Sequence, residues 1–253
     1  MSLSGKRALV TGGSRGVGAA TVQMLAERGV SVVVNYVTSS ESARKIVSNA
    51  RAHGVVAESM ASDVGVPDDA RTLVANAVEA LGGLDILINN AATTRFVAIE
   101  DLDGVEDSAW DAIWGTNVRG LFNVTRAAAP CLRASGDGVV VNVGSVAGVG
   151  DSGSSIPYCA SKAAVHSLTR TLAKALAPEV RVNCVAPGFI NTEWHSNHPD
   201  PSYSSTNREK ARMGSYLRRV CEPEDVADAI MAFVEHNRHT TGQVLMVHGG
   251  RPV

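Results

Sequence analysis

Short, almost unbroken runs of Val, Leu and Ile alternate along this chain with longer stretches in which apolar residues recur every three or four positions. The short runs predict strands at Arg7–Thr11, Ser31–Asn35, Val55–Ser59, Leu84–Asn89, Gly138–Val143, Arg181–Ala186 and Gln243–Val247. The longer stretches predict helices at Gly16–Arg28, Ser40–His53, Pro67–Leu81, Trp110–Ala134, Pro157–Ala177 and Pro223–Val234. Punctuation agrees: Gly29 and Gly54 fall at helix ends, Pro67 and Pro223 near helix starts, and Gly82-Gly83 follows a helix. Strands that are apolar at successive positions are covered on both faces, as in parallel sheets. Strict strand–helix alternation implies right-handed crossovers. The expected fold is therefore α/β: one doubly wound parallel sheet of about seven strands with helices on both faces, spanning residues 1–253 as a single unit. One stretch lacks a period. Gly188–Ser215 is rich in Asn, Ser, His and Pro and is expected to be a loop acting as a lid over the carboxyl edge of the sheet.

Composition narrows the partners. A 253-residue chain that is 45% hydrophobic has material for a substantial core. Its net charge of −2, without a long run of either sign, argues against nucleic acid or an anionic membrane as main partner. No apolar run approaches the ~18 residues of a membrane span, and the N-terminus carries no signal-peptide core. Cys131, Cys159, Cys184 and Cys221 show no metal or redox spacing and read as free thiols. A soluble, cytoplasmic protein is expected.

Two patterns carry chemistry. The first strand runs into Thr11-Gly12-Gly13-Ser14-Arg15-Gly16-Val17-Gly18, just before the first helix. Glycines there let backbone approach a pyrophosphate, and the helix N-terminus supplies N–H groups and positive potential. After the second strand no acidic residue occurs from Arg28 to Ser40; Asn35-Tyr36 and hydroxyl residues stand where an NAD site would place a carboxylate. With Arg15 as countercharge, this favours NADP(H) over NAD(H). The second pattern is Tyr158 and Lys162, at i and i+4 on one helix face. A cation beside a phenol is expected to lower its pKa towards the range useful for proton transfer, with a cationic cofactor as a further contributor. Among other candidates, His195 and His198 lack accompanying acids, so no metal is expected. His166 reads as a packing or interface residue, and Trp194 as a cover for an apolar or ring-shaped substrate.

The segments Thr11–Gly18, Asp63-Val64, Asn89-Asn90-Ala91-Ala92, Asn117-Val118, Asn142-Val143-Gly144-Ser145, Tyr158–Lys162, Pro187-Gly188 with Thr192, and Gly242-Gln243-Val244 follow one another in the order of a known pattern. The sequence resembles the short-chain dehydrogenase/reductase family, with its Rossmann-type sheet, and looks most like the 3-oxoacyl-(acyl carrier protein) reductase branch. The resemblance implies that Ser145 binds the substrate carbonyl and that Tyr158 is the general acid. It makes Lys162 the residue that tunes the tyrosine and holds the nicotinamide ribose. Asn117, in a distorted helix, would hold a relay water through its backbone. It further implies that Gly12, Ser14, Arg15, Gly16, Val17 and Gly18 cradle the cofactor, with Asn35, Tyr36, Asp63 and Val64 at the adenosine end. Asn89 and Ala91 would line its middle, and Pro187, Gly188, Ile190 and Thr192 would contact the nicotinamide end. The chain departs from the family at Ala92, where glycine is usual, and at Gly144, where a second serine is common. The expected activity is hydride transfer between NADP(H) and a small-molecule carbonyl/alcohol pair, of 3-oxoacyl-thioester type. A sugar, cyclic, steroid or polyketide alcohol is the alternative, and a non-catalytic nucleotide sensor the alternative of another class. A homotetramer is implied, with a dimer as the other possibility.

Overall fold

Successive side chains on a strand point to opposite faces, and in the computed structural model, which describes residues 2–250, both faces of the sheet are covered. The first and last residues of the expected unit, 1 and 251–253, lie outside the described residues. The order is β1 (Arg7–Val10), α1 (Gly16–Glu27), β2 (Ser31–Tyr36), α2 (Ser40–Arg51), β3 (Ala57–Ala61), α3 (Pro67–Leu81), β4 (Ile86–Asn89) and α4 (Asp107–Trp114). A π-helical turn, Gly115–Gly120, then leads to α5 (Leu121–Ala134), β5 (Gly138–Val143), α6 (Ile156–Leu176), β6 (Val180–Pro187), α7 (Tyr203–Gly214), α8 (Pro223–Glu235) and β7 (Val244–Val247). The strands form one parallel sheet in the order β3-β2-β1-β4-β5-β6-β7.

The two-residue period divides the core. Ala8, Val10, Val32, Val34, Ile86, Ile88, Val139 and Val141 face one layer, which holds α1, α2 and α8 through Val22, Leu25, Val47, Ile230 and Phe233. The intervening residues Leu9, Val33, Leu87, Val140 and Val182 face the other, which holds α3, α5 and α6 through Leu73, Leu132 and Leu172. Helices cover both faces of the central strands, so nearly all of their inner positions are apolar. That is the physical origin of the unbroken runs in the sequence.

Three expectations change. The helix expected at Trp110–Ala134 begins at Asp107 and is opened in its middle by the π turn. A Cβ on Gly120 would lie 2.8 Å from Val64 Cγ2, so the helix there presses on the segment after β3. Second, β3 sits about two residues later than expected, at Ala57–Ala61. Third, the 188–215 stretch is not all loop: it contains a 3₁₀ turn at Glu193–Asn197 and the helix α7. Ala211 is the one buried residue of α7, so the helix has no apolar stripe to betray it; a bidentate Arg212–Glu209 pair at i, i+3 lies on its surface.

The departure at Gly144 has a partner in the core. A Cβ there would lie 2.6 Å from His166 Nε2 and 2.7 Å from Cys184 Sγ, and one on Gly148 would lie 2.7 Å from His166 Cε1. The imidazole therefore fills the room that two glycines leave, and is 3% exposed. Overfilling a packed site costs about 1–3 kcal/mol. Gly144→Ser is expected to lower the thermal unfolding midpoint by several degrees, and adding His166→Ala to recover part of the loss. Additive effects in that double-mutant cycle would show that the two positions do not compete for one volume.

Candidate active site

The strand order reverses direction between β1 and β4, and open α/β sheets bind ligands at the carboxyl ends of strands at such a point. Here the two strand exits are pinned together. Asn90 Nδ2 donates to the Thr11 and Gly12 carbonyls at 3.0 and 2.9 Å. The Thr11 hydroxyl accepts from the backbone N–H groups of Asn90 and Ala91 at 3.0 and 3.1 Å. The glycine turn runs between them. Gly12 and Gly16 have φ of 60° and 52°, conformations that glycine adopts without a Cβ penalty. A Cβ on Gly18 would lie 2.4 Å from the Gly12 carbonyl oxygen, so turn and helix touch backbone to backbone. Helix α1 starts at Gly16 with no side-chain cap and no acid in its first turn. Its first N–H groups and positive end are therefore open to an anion, which fits a nucleotide pyrophosphate.

Around this turn, Ser14 and Val17 are nearly buried while Arg15 is exposed. Asn35 is 1% exposed, and its carboxamide is held by backbone: Nδ2 donates to Ser62 O at 3.0 Å, and Oδ1 accepts from Gly12 N at 3.3 Å. It supports the turn from below, leaving Tyr36 and Arg15 as the accessible groups at that end. Asp63 is exposed and accepts from Gly65 N at 2.8 Å, while Val64 is buried against the π turn. Asn89 turns away from the cleft. Its Nδ2 donates to Thr125 Oγ1 and Asn142 Oδ1, both at 2.9 Å, and Asn142 passes the chain on to Thr169 at 2.9 Å. At the far end, Gly188 N donates to Val247 O at 2.9 Å, and Ile190 bridges Cys221. Thr192 reaches back over the turn, its Cγ2 3.6 Å from where a Gly16 Cβ would stand. Pro187 is the last residue of β6 and is buried.

The catalytic candidates converge where β5 ends and α6 begins. Ser145 follows β5 in extended backbone, and its hydroxyl caps a short 3₁₀ turn by accepting from Ala147 N at 3.1 Å. Burial pushes the nearby Tyr158 phenol up to about 12, offset only in part by the Ser145 hydroxyl, which favours the phenolate. The expected lowering by Lys162 is thus not found. The Lys162 ammonium lies 5.6 Å from the Tyr158 ring centroid and donates instead to the Val143 carbonyl at 2.9 Å. It is 3% exposed, and burial brings its own pKa down to about 8. Asn117 sits in the π turn, as the distorted helix required. Its carboxamide clamps Thr93, accepting from the backbone N at 2.8 Å and donating to the carbonyl at 3.1 Å, and donates to Ser161 Oγ at 3.0 Å. Ser161 in turn donates to the Tyr158 carbonyl at 2.7 Å, so π turn and α6 are locked one turn from the phenol. The sequence did not single out Thr11, Asn90, Thr93 or Ser161 as supports of the site, because each is joined to it by a bond across 24 or more residues.

The whole arrangement matches known proteins. The family model for short chain dehydrogenase matches residues 6–201. The chain is 43% identical over 245 residues, covering 96% of itself and 94% of the relative, to the Streptomyces violaceoruber protein named "Granaticin polyketide synthase putative ketoacyl reductase 2". It is 34% identical, with 99% of both chains covered, to the 3-oxoacyl-[acyl-carrier-protein] reductase of Thermotoga maritima. The crystal structure of a short chain dehydrogenase from Burkholderia cenocepacia J2315 in complex with NADP superposes with a TM-score of 0.88 at 36% identity, covering 99% of each chain. With its sheet order, glycine turn and Ser145–Tyr158–Lys162 cluster, the chain belongs to the short-chain dehydrogenase family, whose members are oxidoreductases that bind a nicotinamide cofactor and act on carbonyl/alcohol groups.

Proposed function

We propose that this protein reduces a 3-oxoacyl-type carbonyl with NADPH, and that Asn117, Ser145, Tyr158 and Lys162 are its catalytic residues. The observation that carries the reading is the Tyr158 hydroxyl. It stands beside the Ser145 hydroxyl and a buried Lys162 at the end of the cleft that the glycine turn opens. The substrate class is supported by the reductases named above, one of a polyketide synthase and one acting on 3-oxoacyl groups. The NADP preference is supported by exposed Arg15, by the absence of an acid after β2, and by the similar chain that binds NADP.

The turn residues Gly12, Ser14, Arg15, Gly16, Val17 and Gly18 would hold the diphosphate, Tyr36, Asp63 and Val64 the adenosine, and Pro187, Gly188, Ile190 and Thr192 the nicotinamide end. When bound, the nicotinamide supplies hydride. Ser145 and Tyr158 orient the substrate carbonyl by donating to its oxygen, and Tyr158 gives up its proton as negative charge builds there. A phenol held well above neutrality is a proton donor at physiological pH, the state that reduction needs. Lys162 stabilises the phenolate that results, and the Asn117 segment holds the route by which the proton returns. The 188–215 segment closes one side of the cleft as a lid, within a single unit formed by the whole chain. Exposed Trp110, Trp114 and Phe122 on α4 and α5, with Leu245 and Met246 on the edge strand β7, support assembly as a homotetramer, with a dimer as the smaller form. Four free cysteines support a cytoplasmic location.

Three outcomes are expected. Tyr158→Phe should lose at least ~10²-fold in kcat with a short 3-oxoacyl thioester while still binding NADPH; wild-type turnover would remove Tyr158 from the reaction. Arg15→Ala should raise KM for NADPH about tenfold, the worth of a charge-assisted hydrogen bond, and leave KM for NADH unchanged. The third concerns Lys162, whose ammonium is charged below about pH 8 and loses its proton above it. NADPH affinity, read by fluorescence titration, should therefore weaken as pH rises through about 8 and lose that step in Lys162→Ala.

A further inference from the structure

Beside the reacting hydroxyl lies a wall of rings that the proposed chemistry does not use. Phe189, at the exit of β6, stacks on His195 with centroids 4.4 Å apart and planes 8° from parallel. His198 stacks on Tyr203, at the start of α7, at 3.6 Å and 12°. Phe96, from the segment after β4, meets His198 and Tyr203 edge-on at 5.0 and 5.6 Å. Trp194 ties the wall to the site, its ring 6.2 Å from that of Tyr158. None of these side chains is fully buried. They form no part of either core layer, remain partly exposed, and reach the catalytic phenol through Trp194.

The wall is not wholly apolar: His198 Nδ1 accepts from Asp200 N at 3.0 Å, and His195 adds a second imidazole. Burial holds the His195 pKa below its ordinary value, so the imidazole is neutral at neutral pH, and its ring lies near the Ile190 backbone carbonyl. A neutral imidazole has one donor and one acceptor nitrogen. Among the described residues His195 Nδ1 is buried with no hydrogen-bond partner. A buried, unpartnered ring nitrogen set among these rings fits a ligand that is flat and carries a hydroxyl, which can donate or accept.

We propose that Phe96, Phe189, Trp194, His195, His198 and Tyr203 form a ring-recognition subsite, and that the carbonyl reduced here belongs to a substrate with a planar fused-ring or aryl group bearing a hydroxyl. This rests on the carbonyl-reductase reading above and narrows it. The ring-bearing ketone gains hydride at carbon from NADPH, its reductant, and the Tyr158 proton at oxygen. Its C=O π bond breaks as C–H and O–H form, leaving a secondary alcohol and NADP⁺. A linear acyl chain gains contact with such a wall but no stacking, which is worth about two- to tenfold in affinity per ring pair.

The test compares kcat/KM for 1-tetralone, 6-hydroxy-1-tetralone and the N-acetylcysteamine thioester of acetoacetate, all with NADPH. In the wild type both bicyclic ketones are expected to be reduced, the hydroxylated one several-fold better. Trp194→Leu and Phe96→Leu should lower the ratio of 1-tetralone to thioester activity about tenfold, and His195→Phe should erase the advantage of the hydroxylated ketone. NADPH binding by each variant confirms that it is folded. Equal losses on ring and linear substrates would make the wall mere packing and overturn the proposal. So would a wild type that reduces only the thioester, which leaves the carbonyl-reductase reading intact. No reduction of any of the three sinks that reading itself. A wild type indifferent to the ring hydroxyl removes the role given to His195 Nδ1.

Discussion

The site depends on two strand ends being held at a fixed separation. Asn90 donates to the Thr11 and Gly12 carbonyls, and Thr11 accepts from the backbone after β4. These bonds join β1 and β4 just past the last rung of their ladder, at the point where the chain reverses its direction of winding. The glycines follow from that constraint. With the strand ends fixed, turn and helix α1 must pass within backbone contact, which leaves no room for a Cβ on Gly18. The helix N-terminus is thereby aimed, uncapped, into the cleft. Asn35 closes the arrangement from below by bonding both the turn and the backbone after β3.

The electrostatics of the catalytic cluster are set by burial more than by pairing. Desolvation disfavours the charged form of either group, so it raises a phenol and lowers an ammonium. Tyr158 and Lys162 move in those opposite directions, to about 12 and about 8. The lysine's hydrogen bond to Val143 fixes its position but gives it no countercharge. The pair is therefore a neutral acid beside a readily deprotonated cation, an arrangement suited to giving a proton to a developing alkoxide. The π turn contributes through position: Asn117 clamps Thr93 and Ser161, and Ser161 holds the backbone of Tyr158.

Much of this was legible in the sequence. Strands buried on both faces are apolar at most positions, so the runs from Arg7 to Val247 disclosed the sheet and its parallel character. Tyr158 and Lys162 were legible because one helical turn brings i and i+4 together, and Gly12 to Gly18 because a turn between strand and helix has a local signature. The helix α7 was hidden because its polar face is nearly its whole surface. The π turn leaves the apolar period on either side almost unchanged, so periodicity did not show it, and only the family resemblance implied a distorted helix at Asn117. Gly144 looked like a simple departure until His166, two elements away, was seen to occupy the space.

By itself, then, the sequence determined what local periodicity and spacing encode: the α/β class, the strand and helix order, the glycine turn and the residues able to exchange a proton. Tertiary structure alone decided which of those residues face the cleft. Asn35 and Asn89 carry polar side chains at strand ends beside the site, yet each is turned into hydrogen bonds with partners more than 20 residues away. It also decided the direction of the tyrosine shift, since burial is a property of everything packed around a group and not of its neighbours in the chain. The ring wall beside Tyr158 belongs to the same category: its members are scattered from Phe96 to Tyr203 and share a surface only because β4, β6 and α7 end at one edge of the sheet.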